Sequence, residues 1–282
     1  MRQAIMLSSL GLGTASPNPP VGCVILDQAG VVVGVGFHRR KGEPHAEVNA
    51  LVMAGAAARG GTAVVTLEPC NHVGVTPACR QELLDAGVVR VVISVLDPTS
   101  RGDGGAAVLA AAGIDVETDV LPAETLTVLG PWLTATRRSW PYVTWAYSIS
   151  DESRHKPEEQ LTADLRDHVD IVVVDALPEE GVLDGHARAH FLLPEPLDVD
   201  LRNWLSEAYA AGSRNVLFSG SSSASVLRHN IDRVDEVVIH LPIAMAEPVA
   251  RPVRLDLLPA GFELRDISYQ KHSMRLRFNR AA

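Results

Sequence analysis

The sequence predicts an α/β protein, a three-layer α/β domain followed by a second, smaller α/β domain. Three observations lead there. Val-rich runs of strand length alternate with segments whose apolar residues recur at helical spacing, as a layered α/β fold requires. The 282 residues suffice for one large domain or two of ordinary size. A helix-like stretch around Pro131 separates two such alternating runs.

The opening stretch, MRQAIMLSSLGLGTASPNPP, has a helical period and one Arg, which suits a helix better than a cleaved signal. VGCVILD and VVVGVGFH are strands joined by a short QAG turn. HAEVNALVMAGAAA reads as a helix closed by RGG, and TAVVTL as a buried strand. A Pro- and Gly-bearing loop then leads to the helix PACRQELLDAG, which ends on Gly87, and to the strand VVRVVISVL. AAVLAAAG and IDVET repeat the helix-strand step and close a first domain, residues 1–120. PAETLTVLGPWLTATRRSW, read as a helix broken by Pro131, gives a connection over 121–140. The second domain, 141–282, has strands in PYVTWAYSIS, DIVVVDA, RNVLFSG, DEVVIHL and HSMRLRFN, with LRNWLSEAYAAG as a helix. LPEEGVLDGHARAHFLLPEPLDVD reads as loop, and three of the four Trp (Trp132, Trp140, Trp145) suggest a tightly packed junction.

Composition narrows the functional classes. With 46% hydrophobic and 21% charged residues, the chain is ordinary for a soluble globular protein. No apolar run approaches the roughly 18 residues that span a bilayer, so no membrane partner is expected and the cytoplasm is. A net charge of −9 argues against a polynucleotide partner, which needs a basic face. Three cysteines, Cys23, Cys70 and Cys79, cannot build a disulfide framework. Two of them lie near each other beside prolines, which favours a metal.

Catalytic zinc takes three protein ligands and keeps a fourth position for water. His45, Cys70 and Cys79 supply such a set. His45 and Glu47 head a helix, Cys70 follows a strand, and Cys79 begins a helix whose dipole favours a thiolate. Zinc lowers the pKa of water to about 7. Glu47, two residues from a ligand, can take the released proton and deliver it to a leaving amine. Zinc deaminases share this H-x-E…P-C…C pattern, although their cysteines are usually spaced C-x-x-C and here eight residues intervene.

That wider spacing occurs in one family. PNPPVGCVI, GFHRRKGEPHAEVNAL, VTLEPCNHVGVTPAC and AGVVRVVISVLDP resemble the deaminase half of the bifunctional riboflavin-biosynthesis deaminase/reductase, over nearly all of residues 1–145. The resemblance implies a cytidine-deaminase-like first domain and a dihydrofolate-reductase-like second one. It implies zinc on His45, Cys70 and Cys79, with Glu47 catalytic. The substrate implied is 2,5-diamino-6-ribosylamino-4(3H)-pyrimidinone 5′-phosphate, a pyrimidine ribose phosphate. Asn18, His38 and His72 match the family's substrate-holding positions, and Asp97 its DPN turn. Two positions depart from the pattern: Val75 stands where the family has Lys or Arg, and Thr99 where it has Asn. Val cannot contact a phosphate, so Arg101 is the substitute base, or the substrate is a related diaminopyrimidine or pterin without phosphate.

The distal half resembles a shortened, degenerate reductase domain. The family's substrate-contacting Lys falls on Ala146. Asp175 and the acidic PEE stand where a Gly- and Thr-bearing loop meets NADPH, and Gly220 is kept beside Ser221. No cofactor-binding residues are expected there, and the reductase step is expected to be lost. A separate reductase would then complete the pathway, and the distal half would support a homodimer. The alternative is an active bifunctional deaminase/NADPH reductase.

Overall fold

The structure, a computed structural model, describes residues 1–71, 78–100, 104–149, 155–156, 163, 165–181, 194–197, 200–242, 260–270 and 273–281. The chain divides into two compact units, Met1–Leu133 and Thr134–Ala282.

The first unit is built on a five-stranded sheet of order β2-β1-β3-β4-β5. Its strands are β1 (Gly22–Leu26), β2 (Val32–Phe37), β3 (Thr62–Leu67), β4 (Arg90–Val95) and β5 (Asp115–Glu117). β1 pairs antiparallel with β2 and β3, whereas β3, β4 and β5 run parallel. Alternation along the strands sends residues to two faces. Val24 and Val64 pack with Ala4 of α1 (Arg2–Ser9). Cys23, Ile25, Ala63 and Val65 pack with Ala46 and Ala50 of α2 (Ala46–Ala54) and Leu83 of α3 (Cys79–Ala86). The result is the three-layer domain expected.

Small residues set how closely α2 approaches the sheet. Ala46, Ala50 and Ala54 recur every four positions and are buried along one helix face. They meet Gly34 and Gly36, two residues apart on one face of β2. A Cβ on Gly36 would lie 2.4 Å from the Ala46 carbonyl, and one on Gly34 2.1 Å from that of Ala50. Asn49 ties the same helix down by donating its amide to the Phe37 carbonyl at 3.0 Å. The helix ends at Ala54, earlier than the sequence suggests, because Gly55 turns to a positive φ and a 3-10 turn follows. α3 closes on Gly87 in the left-handed conformation, as expected.

After α4 (Gly104–Ala111), α5 runs unbroken from Pro122 to Arg138 with Pro131 inside it, correcting the expected break. The proline forfeits one backbone hydrogen bond. Leu129, Trp132 and Leu133 are buried on either side of it, and their burial offsets that loss.

The second unit is an eight-stranded mixed sheet of order β12-β13-β11-β6-β10-β8-β9, with β7 beside β6. The strands are β6 (Tyr142–Ile149), β7 (His155–Lys156), β8 (Ile171–Val174), β9 (Leu177–Glu180), β10 (Asn215–Ser219), β11 (Glu236–Pro242), β12 (Phe262–Gln270) and β13 (Ser273–Arg280). β6 runs parallel to β10 and β11, and β10 parallel to β8. LPEE proves to be strand β9 rather than loop, since it pairs antiparallel with β8 through a two-residue turn. β12 also escapes the sequence reading, because none of its described residues is buried and no core-facing alternation marks it. α6 (Leu201–Ala210) is capped by Asp200, whose carboxylate accepts from Asn203 N, and it buries Leu201, Trp204, Leu205 and Ala208 on one face. α7 (Ser221–His229) follows Gly220 directly. Of the three junction tryptophans, Trp145 lies in the distal core, and Trp140 lies under the guanidinium groups of Arg138 and Arg233.

Candidate active site

Three chain segments deliver the proposed metal ligands. His45 is the residue immediately before α2, Cys70 lies beyond the end of β3, and Cys79 opens α3. Their ligand atoms all fall within 4.8 Å of one another. His45 Nδ1 is 3.1 Å from Cys79 Sγ and 3.8 Å from Cys70 Sγ. Donor atoms around one tetrahedral zinc, at 2.0–2.3 Å from it, stand roughly 3.5 Å apart. The spacing therefore fits zinc, and one imidazole with two soft thiols is a donor set that selects it. The Cys79 backbone N–H also donates to Cys70 Sγ at 3.2 Å, so the start of α3 supports the neighbouring ligand.

The two thiols and the imidazole perturb one another. A hydrogen bond from Cys79, with the His45 imidazole adding to it, lowers the Cys70 thiol below its ordinary value. The same contact, together with burial, pushes Cys79 up. His45 is raised by its hydrogen bond to Cys70. Cys23, buried in β1, is raised by burial and takes no part in the cluster.

Glu47 sits one helical step into α2 and is 3% exposed. Burial lifts its carboxyl to about 7, against the opposing pull of His45. A carboxyl poised near neutrality can both accept and return a proton.

A cavity of about 200 Å³ opens over these groups, lined by His45, Glu47 and Cys70 together with Asn18, His38 and Asp97. His38 is buried, which lowers its pKa and keeps the ring neutral. Its Nδ1–H donates to the Pro44 carbonyl at 3.2 Å, so Nε2 accepts from the Asn18 amide at 3.1 Å. Asn18 Oδ1 is thereby left as an acceptor with no protein donor among the described residues. Asp97 holds the turn after β4 by accepting from Thr99 N and Oγ1. His72, Val75 and Arg101 lie outside the described residues.

Two residues of the site were not assigned from the sequence. Glu68 lines the cavity and is 7% exposed. One carboxylate oxygen accepts from Asp97 N at 3.0 Å and the other from Ala106 N at 2.8 Å, tying the Asp97 turn to α4. Trp132 lines the opposite wall, and its indole N–H donates to the Pro17 carbonyl at 3.0 Å, beside Asn18. Glu68 stands within the LEPC motif itself, but its partners are distant in sequence. Trp132 carried no motif at all.

A mixed sheet that brings a His and a Glu to one helix start, and two cysteines within ligand reach of that His, defines a zinc-deaminase type of domain. The family profile of the cytidine and deoxycytidylate deaminase zinc-binding region matches residues 1–95. The chain is 52% identical over 125 residues to the diaminohydroxyphosphoribosylamino-pyrimidine deaminase of Buchnera aphidicola, covering 44% of this chain and 84% of that protein. It is 31% identical to the riboflavin biosynthesis protein RibD of Corynebacterium ammoniagenes, covering 84% of this chain and 83% of that protein. With Escherichia coli RibD the identity is 46%, over 55% of this chain and 42% of that protein. The solved structure of Acinetobacter baumannii RibD superposes with a TM-score of 0.78 at 25% identity, covering 100% of this chain and 98% of that one. The chain belongs to the RibD family of riboflavin-biosynthesis proteins, and zinc is its cofactor. Because the superposition covers nearly all of the solved chain, the distal half is not the shortened domain that its sequence suggested.

Proposed function

We propose that the first unit hydrolytically deaminates 2,5-diamino-6-ribosylamino-4(3H)-pyrimidinone 5′-phosphate. The supporting observation is the gathering of the His45, Cys70 and Cys79 ligand atoms within 4.8 Å, with buried Glu47 lining the same cavity. Zinc held by those three residues supplies, when bound, the Lewis acidity that makes water nucleophilic near neutral pH. Glu47 takes a proton from the attacking water and gives it to the leaving nitrogen. The water oxygen bonds to the amine-bearing ring carbon, the C–N bond breaks, and ammonia departs. Asn18 Oδ1 accepts a hydrogen bond from a substrate N–H, and neutral His38 fixes the orientation of that amide. Asp97 and the turn it organises form the far wall, and His72 and Arg101 extend the substrate contacts. Comparing turnover of the phosphorylated and dephosphorylated substrates tests the part given to Arg101 in view of Val75.

Glu47→Gln is expected to retain zinc by metal analysis while ammonia release falls by about 10²–10⁴. Normal turnover in that variant would remove Glu47 from the mechanism.

The second unit carries no hydride transfer in this reading. Ala146, at the family's lysine position, is fully buried in an apolar cluster with Leu165, Val169, Val172, Leu217 and Val238. A separate reductase then supplies the next step. The edge strand β12 exposes Leu264, Ile267 and Tyr269, and supports pairing of two copies as a homodimer. Free thiols at all three cysteines fit the reducing cytoplasm. No described helix is long and apolar enough to cross a membrane.

A further inference from the structure

The strand ends of the second unit hold an arrangement that the deaminase reading leaves unexplained. β8 and β10 run parallel with Val174 opposite Ser219, so the next residues, Asp175 and Gly220, come side by side where both strands end. In open α/β sheets this edge is where ligands bind, and a glycine leading into a helix is the usual seat for a phosphate. Gly220 has φ +94 and α7 starts at the following residue. Here the space over that glycine is taken. A Cβ at Gly220 would lie 2.4 Å from Asp175 Oδ1, and the Asp175 N–H donates to the Ser219 carbonyl at 3.3 Å.

The turn that carries Asp175 is fixed through its backbone. Asp175 and Ala176 form the two-residue turn between β8 and β9, with φ of +48 and +74. Two consecutive left-handed residues make the turn that suits a tight hairpin, but Asn-Gly would adopt it more readily. A left-handed alanine is costly, so the surroundings must hold it. They do so from both sides: Ser219 accepts from the Asp175 N–H, and the Ala176 carbonyl accepts from Leu197 N at 2.8 Å. The backbone of the tip is therefore tied to β10 on one side and to Leu197 on the other.

We infer that Asp175, an exposed carboxylate of the chain itself lying against Gly220, closes the start of α7 to nucleotide phosphate, so that the second unit takes no dinucleotide. The inference rests on the reading that hydride transfer is lost and supplies its physical cause. The NADPH implied by the family does not fit these residues: its phosphate would meet a carboxylate already lying against the glycine, and like charges repel.

The test uses the full chain as wild type, Asp175→Gly and Asp175→Asn. Each is melted in inorganic phosphate and in chloride at matched ionic strength, and each is titrated with NADPH by fluorescence. The wild type should melt at the same temperature in both salts and leave NADPH fluorescence unchanged at millimolar cofactor. Asp175→Gly should gain a phosphate-specific rise in Tm of several degrees, with half-saturation at least tenfold below any wild-type response. Asp175→Asn tolerates the left-handed turn and loses only the charge; it should show a smaller rise, and it carries the test should the glycine variant fail to fold. Equal phosphate responses in wild type and variants would overturn the role of Asp175 while leaving the loss of hydride transfer standing. Micromolar NADPH binding by the wild type would overturn both.

Discussion

Glu47 of the first unit and the carboxylates of the second are enclosed in opposite ways, while Glu68 of the first unit follows the second pattern. In the first unit, Glu47 is enclosed beside an imidazole and two thiols at a cavity, and burial lifts its carboxyl to about 7. In the second, Asp170 is just as buried, but one of its oxygens accepts from the Arg214 and Asn215 backbone N–H groups at 2.7 and 3.0 Å. Asp235 likewise faces the Arg138 guanidinium at 2.6 Å and the Val143 N–H at 2.8 Å. A buried carboxylate surrounded by donors is a structural joint, because its charge is already balanced. One set against groups that themselves exchange protons at a cavity is available for chemistry. In the proposed reading, the first unit holds the reacting site and the second is kept for its architecture.

The strongest way to break this comparison is to remove a ligand. Cys70→Ser is expected to lower bound zinc below a tenth of the wild-type stoichiometry and ammonia release by more than about 10³, since a serine hydroxyl does not replace a thiolate as a zinc ligand. Full metal content in this variant would sink the assignment. Next comes Gly36→Ala. Its Cβ must displace the Ala46 carbonyl, which lies 2.4 Å away, and so must shift the start of α2. Such overpacking costs typically 1–3 kcal/mol, and an ångström of misplacement can cost about 10² in rate. Activity should therefore fall about a hundredfold with secondary structure intact by circular dichroism. Unchanged activity would show that α2 has room to give.

The second unit should answer to its own joints. Arg138→Ala leaves the half-buried Asp235 without its guanidinium partner, at a cost of about 1–3 kcal/mol. Thermal unfolding should move to lower temperature, while zinc content and kcat stay within twofold of wild type. A matching loss of zinc would show that the two units are energetically coupled.

Much of this was legible in the sequence, and for a specific reason. His45, Glu47, Cys70 and Cys79 stand in short motifs whose spacing is dictated by local geometry, a helix start and a strand end. Asn18, His38 and Asp97 were legible through the family motifs that contain them, and all three line the cavity. Glu68 and Trp132 were not, because their roles exist only through partners brought from afar, Asp97 and Ala106 for one and Pro17 for the other. The Asp175 turn escapes the sequence, which places Asp175 and Ala176 at the end of the strand DIVVVDA, for a similar reason. Nothing in DALPEE signals a left-handed pair, since Asp-Ala is a poor candidate for one by propensity, and the pinning contacts come from Ser219 and Leu197. Pro131 misled for the converse reason: a local rule held that helices break there, and buried neighbours overrode it.

The smallest expected effect concerns Trp132, and it separates positioning from packing. The indole N–H is the one group a phenylalanine cannot supply, and it holds the Pro17 carbonyl immediately before Asn18. Trp132→Phe keeps an aromatic wall in the cavity and loses that hydrogen bond, which is worth about 1 kcal/mol. Released from this tether, the loop should sample orientations in which Asn18 no longer meets the substrate. KM should rise about fivefold, with kcat within twofold and zinc unchanged, because no ligand and no proton carrier has moved. Trp132→Ala leaves a cavity and should also lower stability by about 3–5 kcal/mol. Should the phenylalanine variant match wild type in KM while the alanine variant loses both stability and binding, Trp132 acts by filling space alone, and the Asn18 loop is held by other contacts.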